Sequence, residues 1–201
     1  MKTKTITLYQ FDELPAAGKA KAIENHRYIN VDYGGWADCT LDEWKEKLTA
    51  FGYVNPKIQY SGFSSQGDGA SFTCKVIDLP VLIKAQKDSR EFAAVLRRLK
   101  SGKLEIEAEI MRTSNRYCHK YTVNARVNWY MEDNHRDTPA LDAQLAQLES
   151  YTNDHARGLM TEIYRDLESG YDDLTSDESV IDTLTANEYY FTAQGELTSP
   201  E

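Results

Sequence analysis

The chain has 201 residues, 41% of them hydrophobic, with 23 Lys/Arg against 32 Asp/Glu and a formal net charge of −9. That length buries a core without covalent staples, and the sequence has no run of 18 apolar residues, which excludes a membrane-spanning helix. Three scattered cysteines (Cys39, Cys74, Cys118) and four histidines (His26, His119, His135, His155) form neither a disulfide framework nor a zinc-ligand spacing, so a reduced cytosolic protein without metal or cofactor is expected.

The charge is unevenly laid out. Residues 1–130 carry 20 Lys/Arg and 15 Asp/Glu, whereas residues 131–201 carry 3 Arg and 17 Asp/Glu. Such a split reads either as a solvated helical face that maintains solubility or as a surface for a basic partner.

In chain order, Thr3 to Tyr9 predicts a strand with Ile6 and Leu8 on one face. Its two lysines precede no apolar stretch, so no secretory signal is expected. Leu14-Pro15 opens a helix through about Ile29, broken by Asn30-Val-Asp-Tyr-Gly-Gly35. Thr40-Leu-Asp-Glu43 has the spacing of a capping box, and Leu41, Trp44, Leu48 and Phe51 follow at helical spacing, with Trp44 expected in the core.

Lys57 to Phe63 and Ala70 to Ile77 alternate as a half-buried hairpin, with Cys74 on its apolar face. Asp88-x-x-Glu91 has the spacing of a second capping box, with Asp in place of Ser or Thr, and Arg90, Arg97, Arg98 and Lys100 give the helix that follows a basic solvent face. A second hairpin pairs Leu104–Ile110 with Tyr117–Trp129 around Ser114-Asn115. This register sets Ile110 opposite His119, Ala108 opposite Tyr121, Ile106 opposite Val123 and Glu109 opposite Lys120, and makes His119 a core residue.

Thr138 as N-cap and Pro139 at the first turn open the longest helix, which Gly170 is expected to end. Thr175-x-x-Glu178 predicts one more capped helix, and Tyr189–Thr192 a last short strand. The whole predicts a single α+β domain over 1–197, with an antiparallel sheet of two long hairpins plus short terminal strands, and helices packed on one face. Its acidic helical part is 138–186, and 198–201 form a disordered tail.

No nucleophile elbow, Walker loop, His-Glu-x-x-His or calcium loop is present, and no catalytic residue is assigned. The strongest candidate is the connection between the first hairpin strands, with Ser61, Ser64, Ser65, Gln66, Gly67, Asp68, Gly69 and Ser71 as ligand or partner residues. Backbone N–H groups of a glycine-rich turn can cradle an anion, and serines add uncharged donors. The same residues equally suit a wide turn in which Asp68 caps its own backbone. The second candidate is an acidic partner surface of Asp154, Glu162, Asp166, Glu168, Asp172, Asp173 and Asp177, able to imitate a phosphate backbone toward a basic protein. Direct nucleic-acid binding through the basic helix is not expected, because the net charge opposes it.

The stretch Ser61-Gly-Phe-Ser-Ser-Gln-Gly-Asp-Gly-Ala-Ser-Phe72 resembles a segment of small bacteriophage and prophage proteins. Lys21-Ala-Ile-Glu-Asn25, Ile29-Asn-Val-Asp-Tyr33 and Asn187-Glu-Tyr-Tyr-Phe-Thr192 are similar to segments of the same group. The resemblance carries no activity and no catalytic residues. It implies a bacterial host cytoplasm, and an accessory protein that binds and inhibits a host protein, such as a defence or nucleic-acid-handling factor. The alternative from the residues themselves is a small-molecule or nucleotide-binding, or hydrolytic, domain built on loop 61–71.

Overall fold

A computed structural model describes residues 6–85, 90–131 and 139–199. The fold is α+β. In chain order it contains β1 (Tyr9–Gln10), a 3-10 turn (Phe11–Glu13), α1 (Ala16–Asn25), α2 (Asp38–Ala50), β2 (Tyr53–Val54), β3 (Lys57–Ser61), β4 (Gly69–Thr73) and β5 (Val76–Ile77). There follow α3 (Leu79–Ala85), α4 (Ala93–Lys100), β6 (Leu104–Arg112), β7 (Val123–Met131), α5 (Pro139–Leu174), α6 (Asp177–Ala186), β8 (Tyr190–Phe191) and β9 (Leu197–Thr198). All strand pairs are antiparallel, in the orders β1-β8-β9, β2-β5, β3-β4 and β6-β7. Among the described residues, no helix is long and apolar enough to cross a membrane.

Two compact units are present, one of residues 1–38 and 167–201 and one of residues 39–166. The first is built on Phe11, Leu14, Ala22, Val180, Leu184 and Phe191, with Phe191 edge-on to Phe11 at 6.4 Å. Gly195, at φ +80°, lies so near Gly18 that a Cβ would come within 2.2 Å of the Gly18 carbonyl oxygen. Only glycine tolerates both that angle and that approach.

In the second unit, Tyr53, Phe72, Phe92, Leu148 and Ile163 are fully buried. Two edge N–H groups of β7 are met by side chains of α5: Ala125 donates to Asn153 Oδ1 (2.7 Å) and Val127 to Glu149 Oε2 (3.3 Å). Residues four apart on a helix share a face, so one row of α5 covers the strand edge. The first turn of α4 is capped in the same way, by Gln144 Oε1 accepting from Ala94 and Val95. The expected cap Asp88, like Thr138 and the start of the first strand at Thr3, lies outside the described residues.

Several sequence expectations are corrected. Helix α2 begins at Asp38, so Thr40 lies inside it rather than at its cap. The cap of α6 is Ser176, whose hydroxyl accepts from the Ser179 N–H, and not Thr175. Gly170 does not end α5, which runs on to Leu174; no positive φ accompanies it, and glycine alone only weakens a helix.

The largest correction concerns β6–β7. Ile110 pairs with Ala125, Ala108 with Val127, Ile106 with Trp129 and Glu109 with Arg126, six residues from the expected register. An even shift keeps every side chain on its face, which is why the apolar pattern fits both registers. Residues 113–122 form a loop instead, closed by Thr113 N–H to Thr122 O (2.8 Å) and by a turn in which Thr122 donates to His119 O (2.9 Å). His119 therefore leaves the strand and the core.

His155 on α5 is half-buried. Its Nδ1 lies 2.8 Å from Tyr53 Oη, the two rings stack, and burial lowers its pKa below the ordinary 6.5. An unfolded His155 binds a proton more readily than the folded one. Its contribution is therefore complete above about pH 6.5 and is lost as pH falls through the lower folded value. The wild type should lose stability between about pH 7.5 and about pH 5 more steeply than a His155→Gln variant, in parallel denaturant titrations.

Candidate functional site

The connection between β3 and β4 is residues 62–68, so Ser61, Gly69 and Ser71 of the sequence candidates stand on strands. Asp68 turns its carboxylate inward: Oδ2 accepts from the N–H groups of Ser64 (3.1 Å) and Ser65 (2.7 Å). Ser71 is buried beside Cys118, with Oγ and Sγ 3.4 Å apart, and also accepts from Arg112 (3.3 Å). Ser64, Ser65 and Gln66 are exposed. Phe63 anchors the loop between Tyr60 and Tyr164, whose hydroxyl donates to the Gly62 carbonyl at 3.2 Å.

The glycines have a packing role. A Cβ on Gly69 would lie 2.6 Å from His119 Cβ, and one on Gly67, at φ +104°, would lie 2.8 Å from the Tyr117 ring. The hairpin thus presents bare backbone against which the 113–122 loop seats. This fixes Tyr117, His119, Lys120 and Tyr121 along a cavity of about 720 Å³, walled by Gln66 to Ala70 on one side and by Met160, Thr161 and Tyr164 of α5 on the other.

The cavity combines aromatic rings with cations. His119 stacks on Tyr117 (centroids 6.1 Å, 19°), and its Nδ1 accepts from the Tyr121 N–H at 3.1 Å. The neutral ring accordingly carries its proton on Nε2. Lys120 donates to Thr161 Oγ1 (3.0 Å) and lies 5.4 Å from the centroid of Tyr121, which Arg157 also faces at 5.5 Å. Arg116 lies over Tyr117 at 5.1 Å. Among the described residues the ion pairs are Arg27 with Glu24 and Asp177, Lys45 with Asp42, and Arg126 with Glu109. Arg112, Arg116, Lys120 and Arg157 are in none of them. Lys120 lines the cavity and shares Tyr121 with Arg157, whereas Arg112 and Arg116 lie outside it on the Tyr117 side; among the described residues none of the four has a carboxylate partner, an arrangement that favours anions. The one carboxylate in the cavity wall, Asp68, is held by its own loop.

The seven acidic candidates are divided between the two units. Asp154, Glu162 and Asp166 belong to the second, Glu168, Asp172, Asp173 and Asp177 to the first. Asp166 accepts from Trp44 Nε1 at 2.9 Å, and Asp177 pairs with Arg27. Trp44 is buried, as its helical position predicts. Cys74 is buried too, and burial pushes its thiol up to about 11. Among the described residues, no three His, Cys, Asp or Glu side chains gather as a metal site.

Sequence reasoning missed Tyr117, His119, Lys120, Tyr121, Thr161 and Tyr164. The available signal is the stretch Arg116-Tyr117-Cys118-His119-Lys120-Tyr121, which mixes basic and aromatic residues but also fits strand periodicity.

Residues 36–177 match the model of a family described as a domain of unknown function (DUF8835), and the chain belongs to that family. No curated protein and no solved structure matches it.

Proposed function

We propose that this DUF8835 member is a binding domain for a small anionic ligand with an aromatic ring, of which a nucleotide is the model, held in the cavity between the 62–68 loop, the 113–122 loop and α5. The observation that carries the reading is Lys120 and Arg157 facing Tyr121 beside that cavity, neither of them neutralised by a carboxylate among the described residues. Uncompensated cations favour an anion, and tyrosine faces favour a planar ring. The cavity falls within the roughly 300–1,000 Å³ typical of small-molecule sites. The role of the 62–68 loop is support: its Gly67 seats Tyr117, as Gly69 of β4 seats His119, while Asp68 holds the loop's own turn and offers its second oxygen to a ligand hydroxyl.

No nucleophile with an adjacent base lines this cavity, so binding rather than turnover is the activity proposed. The setting we attach to it is the one the loop resemblance implies, an accessory protein acting in a bacterial cytoplasm. The test is a thermal-shift titration with AMP, adenosine and inorganic phosphate. AMP should raise the midpoint of the wild type, and Lys120→Gln should cut the affinity by about tenfold, the worth of one charge-assisted contact. No shift with AMP, or an equal shift in Lys120→Gln, contradicts the reading.

A further inference from the structure

Beyond the first cavity, the same 62–68 loop borders a second, of about 660 Å³. The two share Gln66, Gly67, Asp68 and Tyr117, so the Gly67–Tyr117 contact forms the ridge between them. The second repeats the chemistry of the first. It sets Tyr60 and Tyr117 beside Arg112 and Arg116, as the first sets Tyr117 and Tyr121 beside Lys120.

Arg112 is built in. Its Nη1 donates to the carbonyls of Ser114 (3.5 Å) and Tyr117 (3.4 Å), and its Nη2 to Ser71 Oγ (3.3 Å) and to Gln59 Oε1. All these acceptors are neutral, so the bonds fix the guanidinium without cancelling its charge. Arg116 is exposed, with its guanidinium over the Tyr117 ring. Among the described residues neither arginine has a carboxylate partner, and Asp68 is again the single acid in the wall.

We infer that the two cavities are halves of one bipartite site, and that its ligand is a dinucleotide, with one ring and one phosphate in each half. This rests on the first cavity being a nucleotide site. A mononucleotide fills one half and leaves Arg112 and Arg116 without an anion. A ligand with two rings and two phosphates uses both aromatic groups and both cation groups, and spans the Gly67–Tyr117 ridge that the two cavities share. The cavities together exceed the roughly 300–1,000 Å³ of an ordinary small-molecule site, in keeping with a larger ligand.

The experiment is isothermal titration of the full chain with AMP and with the 5′-phosphorylated dinucleotide pApA, in the wild type, Arg116→Gln and Lys120→Gln. Arg116 is solvent-exposed and Arg116→Gln should fold, as a matching thermal midpoint would verify. The wild type should bind pApA at least about tenfold more tightly than AMP, Arg116→Gln should lose that advantage, and Lys120→Gln should weaken both ligands. Equal affinity for the two ligands in the wild type, or an advantage for pApA that survives Arg116→Gln, overturns the bipartite site while AMP binding stands. If AMP and pApA both fail to bind, the nucleotide reading falls and the bipartite site with it.

Discussion

Phe72→Ala is expected to lower the unfolding free energy of the 39–166 unit by about 3–5 kcal/mol, the usual cost of emptying a buried aromatic position. Phe72 is 1% exposed, pairs with Ile58 across the hairpin, and meets Tyr53 edge-on at 4.8 Å. Tyr53 in turn is fully buried and bonded to His155 of α5. The cavity left by the ring is therefore walled by a strand partner and by a Tyr–His pair that cannot collapse inward without breaking their hydrogen bond. Because Gly69 and Ala70 lie on the same strand, loss of packing at Phe72 also loosens the wall of the ligand site. Tyr121→Ala provides the contrast. Tyr121 is 65% exposed, so its removal should leave the denaturant midpoint nearly unchanged while weakening AMP binding. Paired urea titrations and binding measurements on the two variants separate support from recognition.

Gly69→Val should act on both at once. The new Cβ would meet His119 Cβ at 2.6 Å, its Cα at 3.0 Å and the Cys118 carbonyl oxygen at 3.1 Å. Two of those three atoms are backbone, so relief requires the 118–119 segment itself to move. Overpacking of this kind costs about 1–3 kcal/mol. The displaced segment carries His119, Lys120 and Tyr121, so AMP affinity should fall by at least about tenfold even where the protein remains folded, since small misplacements of preorganised groups are costly. Gly62→Ala is the milder companion. Its Cβ would come 3.0 Å from Asp68 Oδ2, a side-chain rather than a backbone atom, and a smaller effect on both readouts than that of Gly69→Val is expected. Gly69→Val with unaltered AMP affinity would show that the seat for the 113–122 loop does not set the site.

The elements with strong local signals were legible in the sequence. Trp44 and Leu48 are buried on α2, and Ile58 and Tyr60 pair with Phe72 and Ala70 as their alternation suggested. Cys74 is buried where its strand position put it, in an isolated bridge to Ile110. The return strand of the second hairpin was not, for a definite reason. Tyr117, His119 and Tyr121 continue the alternation of Val123, Ala125 and Val127, and a period of two cannot say where pairing begins. What ends the pairing is a local turn held by Thr122 on His119, a side-chain and backbone contact with no periodic signature. The capping boxes misled by one or two residues because Ser176 and Asp38 offer competing starts near Thr175 and Thr40.

For the site, the sequence identified the loop but not its role. Composition cannot distinguish a glycine that admits a ligand from one that admits another loop, and here Gly67 and Gly69 admit Tyr117 and His119. The cations were legible one at a time. Their lack of carboxylate partners among the described residues was not, because it depends on where the acids go: Glu109 to Arg126, Asp42 to Lys45, Glu149 to the edge of β7 and Asp68 to its own loop. The surplus of acid in residues 131–201 thus coexists with Lys120 and Arg157, which have no carboxylate partner among the described residues.

The most direct test of the nucleotide site is isothermal titration of the wild type with AMP and with adenosine, at about 50 mM and about 200 mM salt. Binding by uncompensated cations at the tyrosines predicts that AMP binds at least about tenfold more tightly than adenosine, and that the difference narrows as salt rises. Equal affinities for the two ligands, or no heat from either, would contradict it.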